Sequence, residues 1–460
     1  MGSWLKGKWN EEAGYQRILS IALPLILSMG SHSIMLFIDR MFLARHSQEA
    51  IAAAVPAGLM NFSILCFFLG TATYTSTFIA QYIGAQKPSR VGASLWQGLR
   101  IALIGGLIIP CFSPLAPHIF TWAGHEPAVR ELEIPFFQIL NFGSLFFLTN
   151  AVFSSFYSGR GQTWPVMWIN LGASALNAVL DYILIFGKFG FPEMGIRGAG
   201  YATVTSAGTF TLVYAFMVLR PKWDALYHTR RAWRLDKSLF SRMLKFGTPS
   251  GAQFFIDMIG FTLFVLIIGR IGMTELASSN IAQQINLVGL LPMVGMGIAA
   301  SILVGQYQGA QKSHLAERVT YSALQLTFVY CLIVSSTYVL IPEILISPFI
   351  NPDISVDVAG MNEIATNILK FMAIILVFDS VAILAGGTLK GAGDTRFVMI
   401  VLSVTSIFLL VLPTYLLVEV YQQSIYMAWL CGTINLGLVG SIFFWRFKSG
   451  KWKSIRVIEQ

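Results

Sequence analysis

Long runs without a single charged residue alternate along this chain with short, basic connections. Residues 18–38, 50–86, 101–125, 134–159 and 198–219 carry no charge, and 161–187 carries only Asp181. The second half repeats the rhythm. Residues 276–311, 319–342, 397–418 and 420–445 are charge-free, while 246–269 holds only Asp257 and 371–389 only Asp379. A bilayer-spanning helix needs about 20 mostly apolar residues. Twelve such runs predict twelve transmembrane helices in an all-α integral membrane protein. A soluble protein with buried helices does not carry a dozen of them.

The pattern also repeats at a fixed offset. Residues 80–87, read AQYIGAQK, recur as GQYQGAQK at 305–312, and the same spacing pairs Pro24 with Pro249. Further on, GRGQT at 159–163 recurs as GAGDT at 391–395. Fixed-offset similarity in a helical chain reads as duplication. Six helices per half is an even number, so both halves cross the membrane in the same sense, as in parallel-repeat transporters. The expected organisation is an N-terminal six-helix bundle over residues 1–219, a linker over 220–243 and a C-terminal six-helix bundle over 244–460. The two pseudo-symmetric bundles should face each other in a V around a central cleft.

Composition sharpens this picture. Hydrophobic residues make up 55% of the chain and charged residues only 12%, about half the usual charged share of a soluble domain. The net charge of +9 reflects where the bases lie. With the N-terminus inside, 24 of the 31 Lys and Arg residues fall on the inner side, Lys6, Lys8, Lys390 and a central cluster from Arg220 to Lys245 among them. That bias places both termini in the cytoplasm of a multi-pass protein of the cell (inner) membrane. The polar stretch 1–16 starts no cleavable signal. The basic balance speaks for contact with anionic lipid and against nucleic acid. The four cysteines form no CxxC pair, which argues against a metal site or disulfide framework.

Charge inside a span is costly and marks function. Asp39 closes the first helix; Asp181, Asp257 and Asp379 lie deeper, in the fifth, seventh and tenth. Asn177 and Asp181 are four residues apart and share a helix face. An amide oxygen beside a carboxylate suits a small hard cation or a shared proton. No Lys or Arg within the spans is expected to balance the three deeper aspartates. Asn280 and Gln284 on the eighth helix can add oxygens to the second half or line a substrate cleft. His32 aligns with Asp257 by the repeat and joins the cleft candidates. Pro24 and Pro249 each remove a helical hydrogen bond and favour a kink, as a static bend or a hinge. There is no GxxxxGK[ST] loop to bind ATP, and no paired histidines or other catalytic constellation to make the chain an enzyme.

These residues resemble those of the multidrug and toxic compound extrusion (MATE) family, of the bacterial NorM-like kind. Pro24 and the segment Ile38-Asp39-Arg40 resemble its first helix. Asn177 to Tyr182 reads NxxxDY, as in its fifth, and residues 192–203 resemble the opening of its sixth. Pro249 with Asp257, Phe378-Asp379 and the GAGDT turn follow in order. The resemblance implies secondary active efflux of organic, mostly cationic compounds by alternating access, in antiport with Na+ or H+. It implies a first-half cation site of Asp39, Asn177, Asp181 and Thr203, and a second-half site of Asp257 and Asp379. Sodium is then a candidate metal at Asp39, Asn177 and Asp181, or at Asp257 and Asp379. Two oxygen-rich sites favour sodium over protons. The chain departs from the family in having Asp257 where Glu is usual and Arg40 where Thr is usual. The runner-up function is a flippase of lipid or lipid-linked precursors in the same superfamily. The expected partners are small-molecule drugs and membrane lipid; the chain is expected to act as a monomer, with no cofactor beyond the coupling ion.

Overall fold

A computed structural model describes residue 9, residues 11–349 and residues 358–459. Lys6 and Lys8 lie outside these residues. Among the described residues, twelve helices are long and apolar enough to cross a membrane. In the first half they are α1 (Tyr15–His46), α2 (Gln48–Gly84), α3 (Pro88–Trp122), α4 (Pro127–Ser158), α5 (Trp164–Phe186) and α6 (Ile196–Val218). In the second they are α7 (Lys237–Ile268), α8 (Met273–Gly309), α9 (Ser313–Leu340), α10 (Ala359–Ala392), α11 (Thr395–Val420) and α12 (Ile425–Lys448). Each contains one of the twelve runs predicted above, or most of it. Most extend beyond their run at one or both ends, because helical hydrogen bonding continues into polar residues at the interface. No strand occurs among the described residues, as expected where every backbone group must be satisfied within its own segment.

The duplication is visible in the turns. After α2, Gln86 adopts φ +55°, and Lys87 N–H donates to the Tyr82 carbonyl at 3.0 Å. After α8, Gln311 adopts φ +59°, and Lys312 N–H donates to the Tyr307 carbonyl at 2.8 Å. The second pair of turns also matches. Gly161 and Gly393 have φ of +73° and +107°, and Gln162 and Asp394 donate back to Tyr157 and Leu389. A left-handed residue closing a helix, followed by an N–H that bonds the carbonyl five positions back, is the Schellman arrangement.

Contacts group the chain into two units. One comprises Pro24–Phe255; the other joins the residues up to Leu23 to Ile256–Glu459. The divisions therefore fall inside α1, immediately before Pro24, and inside α7, six residues after Pro249. In the Pro24–Phe255 unit, Leu43, Ala53, Ala57, Phe137 and Ile185 form one fully enclosed cluster. The start of α7 lies hard against α2. A Cβ at Gly70 would stand 2.8 Å from Gly251 Cα, and one at Gly251 would collide with the Phe67 carbonyl. Small residues allow such approach, and dispersion between close backbones holds helices together where lipid removes the hydrophobic incentive. A buried polar chain adds specificity: Asn61 Nδ2 donates to Asn141 Oδ1 at 2.8 Å, and Asn141 Nδ2 to Ser113 Oγ at 3.2 Å. Ser113 sits in a 3-10 stretch of α3, Ile109–Leu115, between Pro110 and Pro114.

The segment after α6 folds back onto this unit. Its short helix Pro221–Tyr227 ends at His228 in the left-handed region. Trp96 Nε1 of α3 then donates to the Thr229 carbonyl at 2.6 Å, and Arg90 pairs with Asp236 at 2.8 Å. In the other unit, Phe264 meets Trp429 edge-on at 5.2 Å within a cluster that includes Ile268, Ile368 and Leu369. The start of α1 belongs here: Ile18, Ile21 and Ala22 are fully buried, and Tyr15 Oη donates to Gln325 Oε1 at 2.6 Å.

Candidate functional site

In the Pro24–Phe255 unit, α1, α5 and α6 bring Asp39, Asn177, Asp181 and Thr203 together. Hydrogen bonds between these helices fix their register. Asn170 Nδ2 of α5 donates to Ser28 Oγ of α1 at 2.6 Å, and Ser206 Oγ of α6 donates to the Ala173 carbonyl at 2.7 Å. Asp181 has no exposure and Asn177 has 1%. Asn177 Nδ2 leans toward Thr203 Oγ1 at 3.4 Å, while that hydroxyl donates to the Ala199 carbonyl at 2.9 Å. Asp39 and Asp181 are close enough for their charges to interact. Four buried acceptor oxygens have no hydrogen-bond partner: Asp39 Oδ1, both carboxylate oxygens of Asp181, and Asn177 Oδ1. Phe42, Tyr182 and Phe186 stand beside them with centroids 5.8–6.0 Å apart.

Elementary chemistry says what such a place accepts. An ionised carboxylate only accepts hydrogen bonds, and the amide carbonyl of Asn177 does the same. Two carboxylates repel, and leaving buried oxygens bare is costly. The cluster is thus complete only with something positive, either a small cation among the oxygens or a proton on a carboxyl. Arg40, next in sequence to Asp39, is exposed.

The second-half residues form a different arrangement. Asp257 of α7 and Asp379 of α10 are half-buried and within electrostatic reach of each other. Lys390, also half-buried on α10, lies within reach of Asp257. This corrects the expectation that no basic residue within the spans balances the deeper acids. The charge-free run 371–389 ends at Lys390 and so places this lysine in an inner loop; the helix in fact continues to Ala392.

Asn280 and Gln284 lie on an exposed face of α8 that continues through Leu287 and Val288. The buried polar atoms without a hydrogen-bond partner on that helix are instead Ser279 Oγ, Gln283 Nε2 and Asn286 Oδ1. His32 is exposed on α1 and belongs to the Pro24–Phe255 unit, whereas its repeat mate Asp257 belongs to the other.

Two further polar clusters escaped the sequence reading. Arg160, in the turn after α4, is 7% exposed. Its guanidinium lies 4.0 Å from the Phe156 ring centre, 4.2 Å from Trp223, 4.9 Å from Tyr157 and 5.2 Å from Tyr227. At the equivalent turn of the second half, Arg446 Nε donates to Asp394 Oδ2 at 2.7 Å and stacks 4.6 Å from Phe397. The only sequence signal was a basic residue beside a Gly-rich turn, which says nothing of its partners.

The MatE family model matches residues 24–183 and again 249–416. The two matches begin at the two repeat-related prolines. A protein of Shewanella oneidensis described as a probable multidrug resistance protein NorM is 28% identical over 389 residues, spanning 84% of this chain and 83% of that one. A protein of Thermotoga maritima with the same description is 26% identical over 461 residues, spanning 96% and 94%. Among solved structures, an outward-facing multidrug resistance MATE family transporter of the MOP superfamily superposes with a TM-score of 0.86 at 22% identity, covering 95% of this chain and 96% of that one. A MOP superfamily transporter from Pyrococcus furiosus gives 0.86 at 21% identity with the same coverage. At such identity the superposition shows the fold.

Proposed function

This chain belongs to the MatE family, and we propose that it is a secondary active exporter that expels organic, mostly cationic compounds against the inward flow of a coupling cation. It is a multi-pass membrane protein and not an enzyme. The observation that carries the proposal is the set of four buried, partnerless oxygens on Asp39, Asn177 and Asp181. Sodium is the coupling ion. It requires several oxygens around one centre, and Asp39, Asn177, Asp181 and Thr203 offer them from three helices. A proton alone would need one carboxyl and would leave the Asn177 oxygen bare.

Coupling follows from differential binding. A ligand shifts a two-state transporter only by the difference in its affinity for the two states. The cation neutralises repulsion between Asp39 and Asp181 and draws α1 and α5 together. Its loss to the low-sodium side lets α1 move relative to α5. The division of units at Pro24 puts a proline, which cannot complete the helical ladder, where such movement is needed. The basic segment from Arg220 to Lys245 marks the cytoplasmic side, with both termini there.

The test is substrate efflux from proteoliposomes at fixed pH, with sodium replaced in turn by choline, potassium and lithium. Efflux should stop in choline and potassium. Efflux that ignores sodium and collapses with the pH gradient would assign the aspartates to protons. Scrambling of a labelled lipid, with no drug efflux under either gradient, would favour the flippase reading.

A further inference from the structure

We propose that a groove between α7 and α11 is a binding site for a single phospholipid with a zwitterionic headgroup, one that carries a phosphate and a primary ammonium. The groove encloses about 410 Å³ and is lined by Leu263, Leu266, Ile267, Ile407, Val411 and Leu412, with Tyr415 and Arg270 at one end. Each wall comes from one face of its own helix. On α7 the lining residues recur at the three- and four-residue spacing of a single stripe. They run roughly 10 Å along the helix axis from Leu263 to Arg270.

Three features define the groove as more than lipid-facing surface. The first is its closed lower end, where Gly260 of α7 touches Ser406 of α11 so closely that a Cβ would collide with the hydroxyl. The second is the irregular winding of α11. Ser406–Val411 and Leu416–Val420 are π-helical, on either side of a short α-helical piece containing Pro413. Such wide turns shift the following side chains around the axis and recur at functional places in helices. The equivalent helix of the first half, α5, is regular α-helix from Trp164 to Phe186.

The third feature is the charge at the open end. Arg270 Nη1 donates to Glu419 Oε1 at 2.9 Å, with side-chain exposures of 66% and 28%. An exposed ion pair is worth little by itself, so it can open at small cost. A cation and an acid side by side, at the end of two spans, complement a headgroup that carries an anion and a cation side by side. The phosphate would take Arg270, the ammonium would take Glu419, and Tyr415, near the end of α11, is of a residue type enriched where spans meet headgroups. One acyl chain would then fill the apolar stripe below.

The full chain, purified in detergent and stripped of lipid, would be incubated separately with phosphatidylethanolamine, phosphatidylcholine and phosphatidylglycerol, and retained lipid counted by native mass spectrometry. The expected result is one phosphatidylethanolamine per chain, retained about tenfold better than the other two, the discrimination of one charge-assisted hydrogen bond. Glu419→Gln should invert the preference toward phosphatidylglycerol, because Arg270 is left as an unopposed cation. Leu412→Trp fills the groove and should reduce retention of all three, with helicity and monodispersity unchanged. Equal retention of the three lipids by the wild type, or a preference untouched by Glu419→Gln, would overturn the proposal and leave ordinary annular lipid.

Discussion

The two halves of this chain share their turns and differ in their acids. In the first half, Asp39, Asn177 and Asp181 gather four buried oxygens without partners. In the second, Asp257 lies within electrostatic reach of both Asp379 and Lys390. The offset that aligns Thr163 with Thr395 places Asp181 on Pro413, and the offset that aligns Pro24 with Pro249 places Asp257 on His32. The two acidic sites are therefore not copies of each other. Duplication preserved what the backbone requires, the left-handed residues that end α2, α4, α8 and α10. It did not preserve charge: each half has an acid on its first helix but at a different position, and its second acid lies on α5 in the first half and on α10, the counterpart of α4, in the second. A site lacking a fixed cation demands a mobile one; a site with a lysine already contains its counter-charge.

The largest expected effect breaks this contrast from the first half. Asp181→Asn removes one of two carboxylates facing a bound cation. Truncating one member of a buried charge pair costs about 2–5 kcal/mol, so apparent sodium affinity should fall roughly 30- to 5,000-fold and coupled efflux should drop to background. Expression and monodispersity should be unchanged. Wild-type efflux by this variant would remove Asp181 from the coupling site.

The second prediction sharpens the contrast from the other half. Lys390→Met should leave Asp257 and Asp379 uncompensated and give the second half a cation requirement that it lacks. Efflux by Lys390→Met should become more dependent on sodium or acid pH than in the wild type. Asp257→Asn in the same chain should restore the original dependence. The coupling between the two substitutions should be about 1–3 kcal/mol, as for residues that interact directly. Additive effects would show that Lys390 does not serve Asp257.

A third, smaller effect concerns the turns that the halves share. Arg160 is fastened by aromatic faces, and its counterpart turn by the Asp394–Arg446 ion pair. Cation–π contacts of a desolvated guanidinium are worth about 2 kcal/mol. Arg160→Met should lower stability by about that amount, seen as an earlier thermal transition of the purified protein. Arg160→Lys should recover less than half, because an ammonium cannot stack as a plane between rings. An unshifted transition in Arg160→Met would mean that packing by its methylenes, not its charge, holds the turn.

How much of this contrast the sequence revealed depends on which forces are one-dimensional. The spans were legible because burial in lipid demands an unbroken apolar run, and such a run is a property of consecutive residues. The turns were legible because QYxGAQK and GxGxT carry the same left-handed requirement twice. Asp39, Asn177 and Asp181 were legible because polarity inside a span is expensive wherever it occurs. Lys390 was not: the rule that found the spans stops at the first charge, so it assigned this lysine to a loop. On α8, choosing between Asn280 with Gln284 and Gln283 with Asn286 requires the rotational phase of the helix against its neighbours. The uniformly apolar sequence around them does not record that phase. The Asn61–Asn141–Ser113 chain and the aromatic enclosure of Arg160 join residues far apart in sequence, and only packing brings them together.

The smallest effect tests a final difference between the halves, the way each fastens the segment that follows its sixth helix. After α6 the segment is held to α3 by Arg90 and Asp236; after α12 the tail is held to α9 by Glu317 and Lys453, with the charges exchanged between helix and segment. In the first case the acid lies in the segment. The Leu239 backbone N–H and the Arg90 guanidinium hold the Asp236 carboxyl below its ordinary value, outweighing its partial burial. A group whose folded pKa is depressed adds stability above its unfolded pKa, and that stability is lost as pH falls through the folded value. The contribution should thus be fully present at neutral pH, begin to fall near about pH 4, the ordinary range of an aspartate, and be lost only below the depressed folded value. With both partners almost one-third exposed, it should stay under about 1 kcal/mol. Asp236→Asn should melt slightly earlier than the wild type at pH 7, and the gap should narrow as the pH falls below 4. A gap that does not narrow on acidification would show that the carboxylate charge is not what holds this segment to α3.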